Sequence, residues 1–472
     1  MKRLVSSVTL LAGAQVGSQL IGLVMLAIVS RRIGPAYLGA YAFSLTIVLD
    51  VGLAATLGLP VLGLRDASES AAGRRRVLVE TVTTRVLLAL ILGGALVALS
   101  PSIAPSHASR ALIPILAIKL LLDALTVDWY LQGTGRHAVV AASRLIGQVV
   151  FAAALIPLVA GGLVGARHYA VATLVGLAVT VAILLFLAVR DVGLPVGAVS
   201  VRSIRGRLKR SMPFVWWIAL TQIYYSTDLI LVNYLVGDRK AGLYAAASKL
   251  PLSVIGVAAL WFTVSMPETA RLHSSRQTDL IRRQFRVAAT TAIVAGLPFI
   301  LLGPLFATDI ARTLFGPTFA GSGPALAILS ASVAVSLLQI VVTSVAMGAG
   351  RERRYVRAMS LGAAANVGLN LVLIPTIGII GASVSTIVAE SMVLLAGVGQ
   401  IMPIIGRFEV RWRAIGEAAA IACVAGLTAL LIRHDAGFLV SACCAVAVYA
   451  SAIVVRTARD PSWFSGWLGD TR

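Results

Sequence analysis

Apolar segments of about twenty residues recur along this chain, and they constrain its fold more than any other feature. An α-helix rises about 1.5 Å per residue, so about 20 apolar residues cross a hydrocarbon core about 30 Å thick. Such segments cover 4–29, 39–64, 77–100, 111–131, 138–160, 168–189, 212–236, 242–266, 287–311, 323–348, 355–375, 380–404, 413–432 and 437–456. They leave almost none of the 472 residues for a soluble domain. The chain is 58% hydrophobic and 12% charged, with a mean hydropathy of +0.93, which excludes an ordinary water-soluble protein. The expected fold class is an all-α membrane protein with about 14 transmembrane helices. The first segment follows Lys2 and Arg3 as a signal peptide would. Its apolar run is too long for one and lacks a small-residue cleavage site, so it reads as a retained span. Cys423, Cys443 and Cys444 fall in the last two spans, without the spacing of a zinc site or a disulfide framework. No metal and no cofactor is expected.

A net charge of +21 would suggest a nucleic-acid partner in a soluble protein, but the placement of the basic residues argues against one. With the N-terminus cytoplasmic, 28 of the 40 Lys and Arg residues fall in inner loops and tails, and 8 in outer loops. Arg85, Lys119, Arg144 and Lys249 remain inside spans. This asymmetry follows the positive-inside rule and predicts a multi-pass protein of the plasma (inner) membrane with both termini cytoplasmic. The basic clusters then set orientation and attract anionic headgroups.

The longest polar stretch between spans, Arg190 to Arg210, divides the chain. The expected organisation is an N-terminal lobe over 1–189, a basic cytoplasmic linker over 190–210, a C-terminal lobe over 211–404, and two further spans with a tail over 405–472. Two echoes support a repeat. "GPAYLGAYA" and "GDRKAGLYA" share G-x4-G-x-Y-A through Gly34, Gly39, Tyr41 and Ala42 against Gly237, Gly242, Tyr244 and Ala245. "GTGR" at Gly133–Arg136 matches "GAGR" at Gly348–Arg351. Both matches displace the chain by six spans, an even number, so two pseudo-symmetric six-helix lobes have the same orientation across the membrane.

Several stretches resemble bacterial polysaccharide and O-antigen flippases, the Wzx-type branch of the multidrug, oligosaccharidyl-lipid and polysaccharide (MOP, MATE-like) exporter superfamily. They are "SRRIGPAYLGAY", "DWYLQG", "DLILVNYLVGDRKAGLYAAASKL", "LFGPTF" and "NLVLIPTIGIIGASVSTIVAE". The resemblance covers nearly the whole chain. It implies two six-helix lobes around a central cavity, alternating access, and export of a glycan carried on undecaprenyl pyrophosphate. Glycan polymerase and ligase partners, and membrane lipid, would follow from that role. A drug or small-metabolite exporter, or a lipid II-type flippase of the same fold, is the alternative, because one fold hosts several substrates. A membrane glycosyltransferase or polymerase is remote, since no short outer loop holds a pair of acids.

Charge at the centre of a bilayer helix costs at least about 2.5–3.5 kcal/mol, so each such residue needs a reason. Mutual neutralisation is the simplest, and Lys119 with Asp123, four residues on, fits it. Asp228 and Lys249 flank the second outer hairpin and suit a similar pairing. Asp128 lies about 140° around the helix from Asp123 and suits the inner rim, beside Trp129 at headgroup level. The resemblance adds a second role, because a pyrophosphate leaving water needs cations. Arg85, Lys119 and Arg144 outnumber Asp50 and Asp123 in the first lobe, while Lys249 meets Asp228 and Glu390 in the second. The candidate cavity cations are thus Arg85, Lys119, Arg144 and Lys249. Asp50, Asp123, Asp228 and Glu390 are candidates for ion coupling or charge pairing. All five histidines lie in loops or near span ends, so coupling would use Asp50, Asp228 or Glu390, with proton and sodium both open.

Overall fold

A computed structural model describes residues 2–69, 73–194, 197 and 199–459; the expected tail beyond them, 460–472, lies outside the described residues. The described residues contain fifteen α-helices and no strand. The first seven are α1 (Lys2–Thr56), α2 (Leu59–Glu69), α3 (Arg74–Ile103), α4 (His107–Leu125), α5 (Asp128–Gly133), α6 (His137–Ala160) and α7 (Ala166–Val192). Then follow α8 (Val201–Ala258), α9 (Leu260–Ser274), α10 (Thr278–Leu301) and α11 (Gly303–Phe315). After a short 3-10 helix (Pro317–Ser322) come α12 (Gly323–Gly348), α13 (Glu352–Ile377), α14 (Ile379–Ile405) and α15 (Trp412–Arg459). A chain in hydrocarbon must satisfy its backbone polar groups internally, and helices do so within one segment. Leucine and isoleucine therefore remain on outward faces, as Leu87, Leu90 and Ile91 do on α3.

Among the described residues, eleven helical segments are long and apolar enough to span a membrane. The expected count of about fourteen is recovered once two turns and one charged helix are recognised. Gly34 (φ 73°, ψ 174°) folds α1 back on itself, and Gly237 (φ 83°, ψ 170°) does the same in α8. Only glycine adopts this backbone readily, so each is a hairpin turn between two spans. A third, Gly437 (φ 75°, ψ 171°), separates the last two spans within α15. The charged helix is α4, apolar over most of its length but carrying Arg110, Lys119 and Asp123.

The chain divides into two compact units, Met1–Ala245 and Ala246–Arg472. The first holds α1 to α7 and α8 through its hairpin turn. One of its cores joins Val127, Trp129, Tyr130 and Leu131 to Leu78, Val82, Leu184 and Ala188. The second holds the remaining helices, with Leu302 and Phe306 packed on Ala422, Ala425 and Tyr449. Most of the expected linker is helical: Arg190–Val192 ends α7, and Val201–Arg210 begins α8.

The second echo has a shared geometry too. Gly135 (φ 81°) and Gly350 (φ 71°) both take left-handed backbone. Arg136 N donates to Leu131 O at 2.8 Å, and Arg351 N donates to Ala346 O at 2.9 Å. Each is the six-to-one bond of a glycine-terminated helix.

Candidate functional site

The first unit brings the two G-x4-G-x-Y-A hairpins together. A Cβ built on Gly39 would lie 1.8 Å from the carbonyl oxygen of Asp238 and 2.6 Å from the amide of Gly242. A Cβ on Gly242 would lie 1.8 Å from Pro35 O and 2.9 Å from Gly39 N. The contact is reciprocal: each glycine meets the residue that follows the turn of the other hairpin. Small residues allow such backbone approach between membrane helices. The tyrosines of the two motifs then diverge, with Tyr41 Oη 3.4 Å from Thr173 Oγ1 while Tyr244 Oη donates to Asp228 Oδ2 at 2.9 Å.

Deeper along the same helices, Gln222 Nε2 donates to Asp50 Oδ1 at 2.7 Å, and Ser226 also bonds to this carboxyl. Asp50 lies in the second half of α1, and Gln222 and Ser226 in the first half of α8. The acid thus links the two helices that end in the touching hairpins.

A second cluster forms where the expected continuous span over 111–131 is broken. α4 stops at Leu125, and Thr126 and Val127 leave the helical path before α5 begins at Asp128. The break frees carbonyl groups, which inside a membrane protein need donors. Arg85, 3% exposed, supplies them: its Nη1 donates to Thr126 O at 2.7 Å and its Nη2 to Asp123 O. Around it, Lys119 Nζ bonds Asp123 Oδ2 at 2.6 Å, and Arg144 Nη2 bonds Asp128 Oδ2 at 2.5 Å. α3, α4, α5 and α6 therefore meet in one network of three cations and two acids.

The break corrects two expectations. Asp128 and Asp123 are on different helices, so their angle around one helix has no meaning. Trp129 is 2% exposed, packed in the core of the first unit rather than turned out toward lipid headgroups, with Gly63 so close that a Cβ there would lie 2.6 Å from the indole.

In the second unit the side chain of Lys249 is exposed, and Glu390 is buried on α14. Asp228, in the first unit, takes the Tyr244 hydroxyl described above. The structure thus assembles Arg85, Lys119, Arg144, Asp123 and Asp128 in one place and Asp50 in another.

Helical hairpins with glycine turns and buried polar links between helices make up a fold that solved transporter structures share. A solved structure titled "Lipid II flippase MurJ, inward closed conformation" superposes with a TM-score of 0.78 over 96% of this chain and 99% of that one, at 14% identity. A MOP superfamily transporter from Pyrococcus furiosus, titled for the reverse polarity of its binding pocket, gives 0.58 over 84% and 95%, at 18% identity. The sequence also matches, over residues 4–273, the family described as Polysaccharide biosynthesis protein. That match spans more than half of the chain, and the chain belongs to this family. Among curated relatives, "Probable flippase AglR" of Haloferax volcanii is 24% identical over 181 residues, 38% of each chain. "Uncharacterized membrane protein MJ1068" of Methanocaldococcus jannaschii is 30% identical over 96 residues. The chain spans only 19% of the length of MJ1068 and 38% of that of AglR.

Proposed function

We infer that this protein is a lipid-linked oligosaccharide flippase, a transporter and not an enzyme. It carries an undecaprenyl-pyrophosphate-linked glycan from the cytoplasmic to the outer leaflet of the plasma membrane by alternating access. The observation that carries this reading is membership of the polysaccharide biosynthesis family across 4–273, in a chain built as spans and short loops. The printed name of the Haloferax relative and the fold shared with a lipid II flippase support it.

The geometry suggests how the parts divide the work. The touching hairpins form the outer closure, so the substrate enters from the arginine-rich cytoplasmic side. Opening requires Gly39 and Gly242 to part, with six-span lobes moving about the turns. Lys119 and Arg144 are the cations best able to meet a pyrophosphate, because each holds one carboxylate that a phosphate oxygen could replace. Arg85 is a positioning residue, since its guanidinium supports the broken helix. Asp50 is the coupling acid: a proton or sodium ion there would weaken its bond to Gln222, a link between helices that must move. Asp50→Asn keeps an acceptor for Gln222 and removes the charge, so export in that variant should no longer respond to collapse of the ion gradient.

Disrupting the gene in its host tests the main reading. Surface glycan should be lost while its lipid-linked precursor accumulates on the cytoplasmic leaflet. Normal surface glycan with altered drug sensitivity would favour the exporter reading instead.

A further inference from the structure

The second unit carries a basic cavity that the transport reading does not use. It occupies about 540 Å³ and is lined by Arg282, Arg283 and Arg286 of α10 and by Arg407 beyond α14, with Asp279 and Glu409. Four guanidinium groups face two carboxylates, which leaves the lining with a surplus of two positive charges. Both carboxylates hold arginines in place: Arg282 Nη1 pairs with Asp279 at 3.0 Å, and Arg286 Nη2 pairs with Glu409. Arg282 Nε also donates to Ile404 O at 3.4 Å, tying α10 to the end of α14. The turn at Gly406 (φ 78°) lets the chain pass under that guanidinium, which lies 3.6 Å from a Cβ built there. Phe285 forms part of the lining, edge-on to Phe408 with ring centres 5.6 Å apart.

The location decides what kind of anion would come. α14 ends at Ile405 and the apolar part of α10 begins after Arg286, so the cavity opens where two spans leave the hydrocarbon. The first unit has a related cavity of about 360 Å³ at the matching place in the repeat, lined by Arg74, Arg136, Tyr130, Thr134 and Asp191. Gly193 (φ 84°), just after α7, corresponds there to Gly406, and Arg75 lies 3.8 Å from a Cβ built on it. In that cavity Arg136 is joined to Asp191 at 2.9 Å, leaving a smaller and less positive space.

We propose that the cavity between α10 and the α14 end binds the phosphate headgroup of an anionic membrane lipid. Arginine forks suit phosphate oxygens, and basic pockets between spans at the cytoplasmic surface suit anionic headgroups. The fixed pairs Arg282–Asp279 and Arg286–Glu409 form the walls, and the surplus charge supplies the affinity. The site is separate from the Lys119 and Arg144 network and does not depend on the transported substrate.

The test uses purified full-length protein in detergent micelles, offered equal amounts of phosphatidylglycerol and phosphatidylcholine, with retained lipids counted by native mass spectrometry. Wild type should retain phosphatidylglycerol in preference. R283Q/R407Q, which changes two exposed side chains, should weaken that retention about tenfold or more. R353Q/R357Q removes the same charge from exposed positions outside the cavity and should retain the lipid. Equal losses in both double variants would show only diffuse attraction to basic surface and overturn the site. Release of phosphatidylglycerol from wild type by millimolar inorganic phosphate would overturn the lipid assignment in favour of a free anion.

Discussion

Replacing Gly39 with alanine, and then with leucine, probes the hairpin contact on which the proposed alternating access rests. A single added Cβ would stand 1.8 Å from Asp238 O, whereas unstrained C···O contacts lie at about 3.3–3.6 Å. The hairpins must therefore separate by about 1.5 Å for alanine, and further for leucine. The opposing atoms are backbone, so no side chain can swing away. Overpacking of this kind costs about 1–3 kcal/mol, which lowers the closed population relative to the open one by about 5- to 150-fold. Spin labels at Tyr37 and Lys240, both exposed on the hairpins, report the separation directly. The expected result is a shift to longer distances in G39A, a larger one in G39L, and glycan export falling in the same order. Gly242→Ala should reproduce the effect, because its own Cβ would meet Pro35 O at 1.8 Å. Gly94→Ala, in α3 with nothing within 4 Å, should change neither reading. Unchanged distances with full export in G39L would refute the reasoning.

Other consequences are as direct. Exchanging the intramembrane pair, Lys119→Asp with Asp123→Lys, should leave export lost although the protein reaches the membrane, because it moves the cation by about 6 Å along the axis; full rescue would show that the pair serves packing alone. Arg85→Gln should lower thermal stability by about 1–3 kcal/mol, because the Thr126 carbonyl loses its guanidinium donor while Asp123 O keeps the Thr126 amide, and Arg85→Lys should recover part of it; an unchanged melting temperature for the glutamine variant would remove Arg85 from its supporting role. In a background lacking Cys423, Cys443 and Cys444, a cysteine at Arg239 should react with an impermeant thiol reagent in intact cells, while cysteines at Arg74 or Arg205 should not; labelling at Arg205 would reverse the orientation.

The spans were legible because length and apolarity are set by the bilayer, and the G-x4-G-x-Y-A and GTGR/GAGR echoes marked the turns that the structure builds with left-handed glycines. What the sequence hid follows from the same physics. Three helices in which two spans share one turn, in α1, α8 and α15, differ from separate spans only in the backbone of a single glycine. The break at Thr126–Val127 has no proline or glycine to announce it, and it is stabilised by Arg85, 41 residues away in the chain. Lys119 and Asp123 were readable as a pair because they are neighbours on one helix, whereas Arg144 with Asp128 depended on how α5 and α6 pack. The polar partners of Asp50 were missed for a related reason. Gln222 and Ser226 are uncharged, so nothing marked them as costly inside a span, and only the fold brings them to the acid.

The most direct test of the account is flipping itself in proteoliposomes. The purified protein is reconstituted with a fluorescently labelled undecaprenyl-pyrophosphate oligosaccharide, and the share of label open to a membrane-impermeant quencher is followed in time. The protected label should become accessible faster than in empty vesicles, and a reversible disulfide between cysteines placed at Tyr37 and Lys240 should stop this until it is reduced. Accessibility no faster than in empty vesicles, or flipping that continues with the hairpins locked together, would contradict the account.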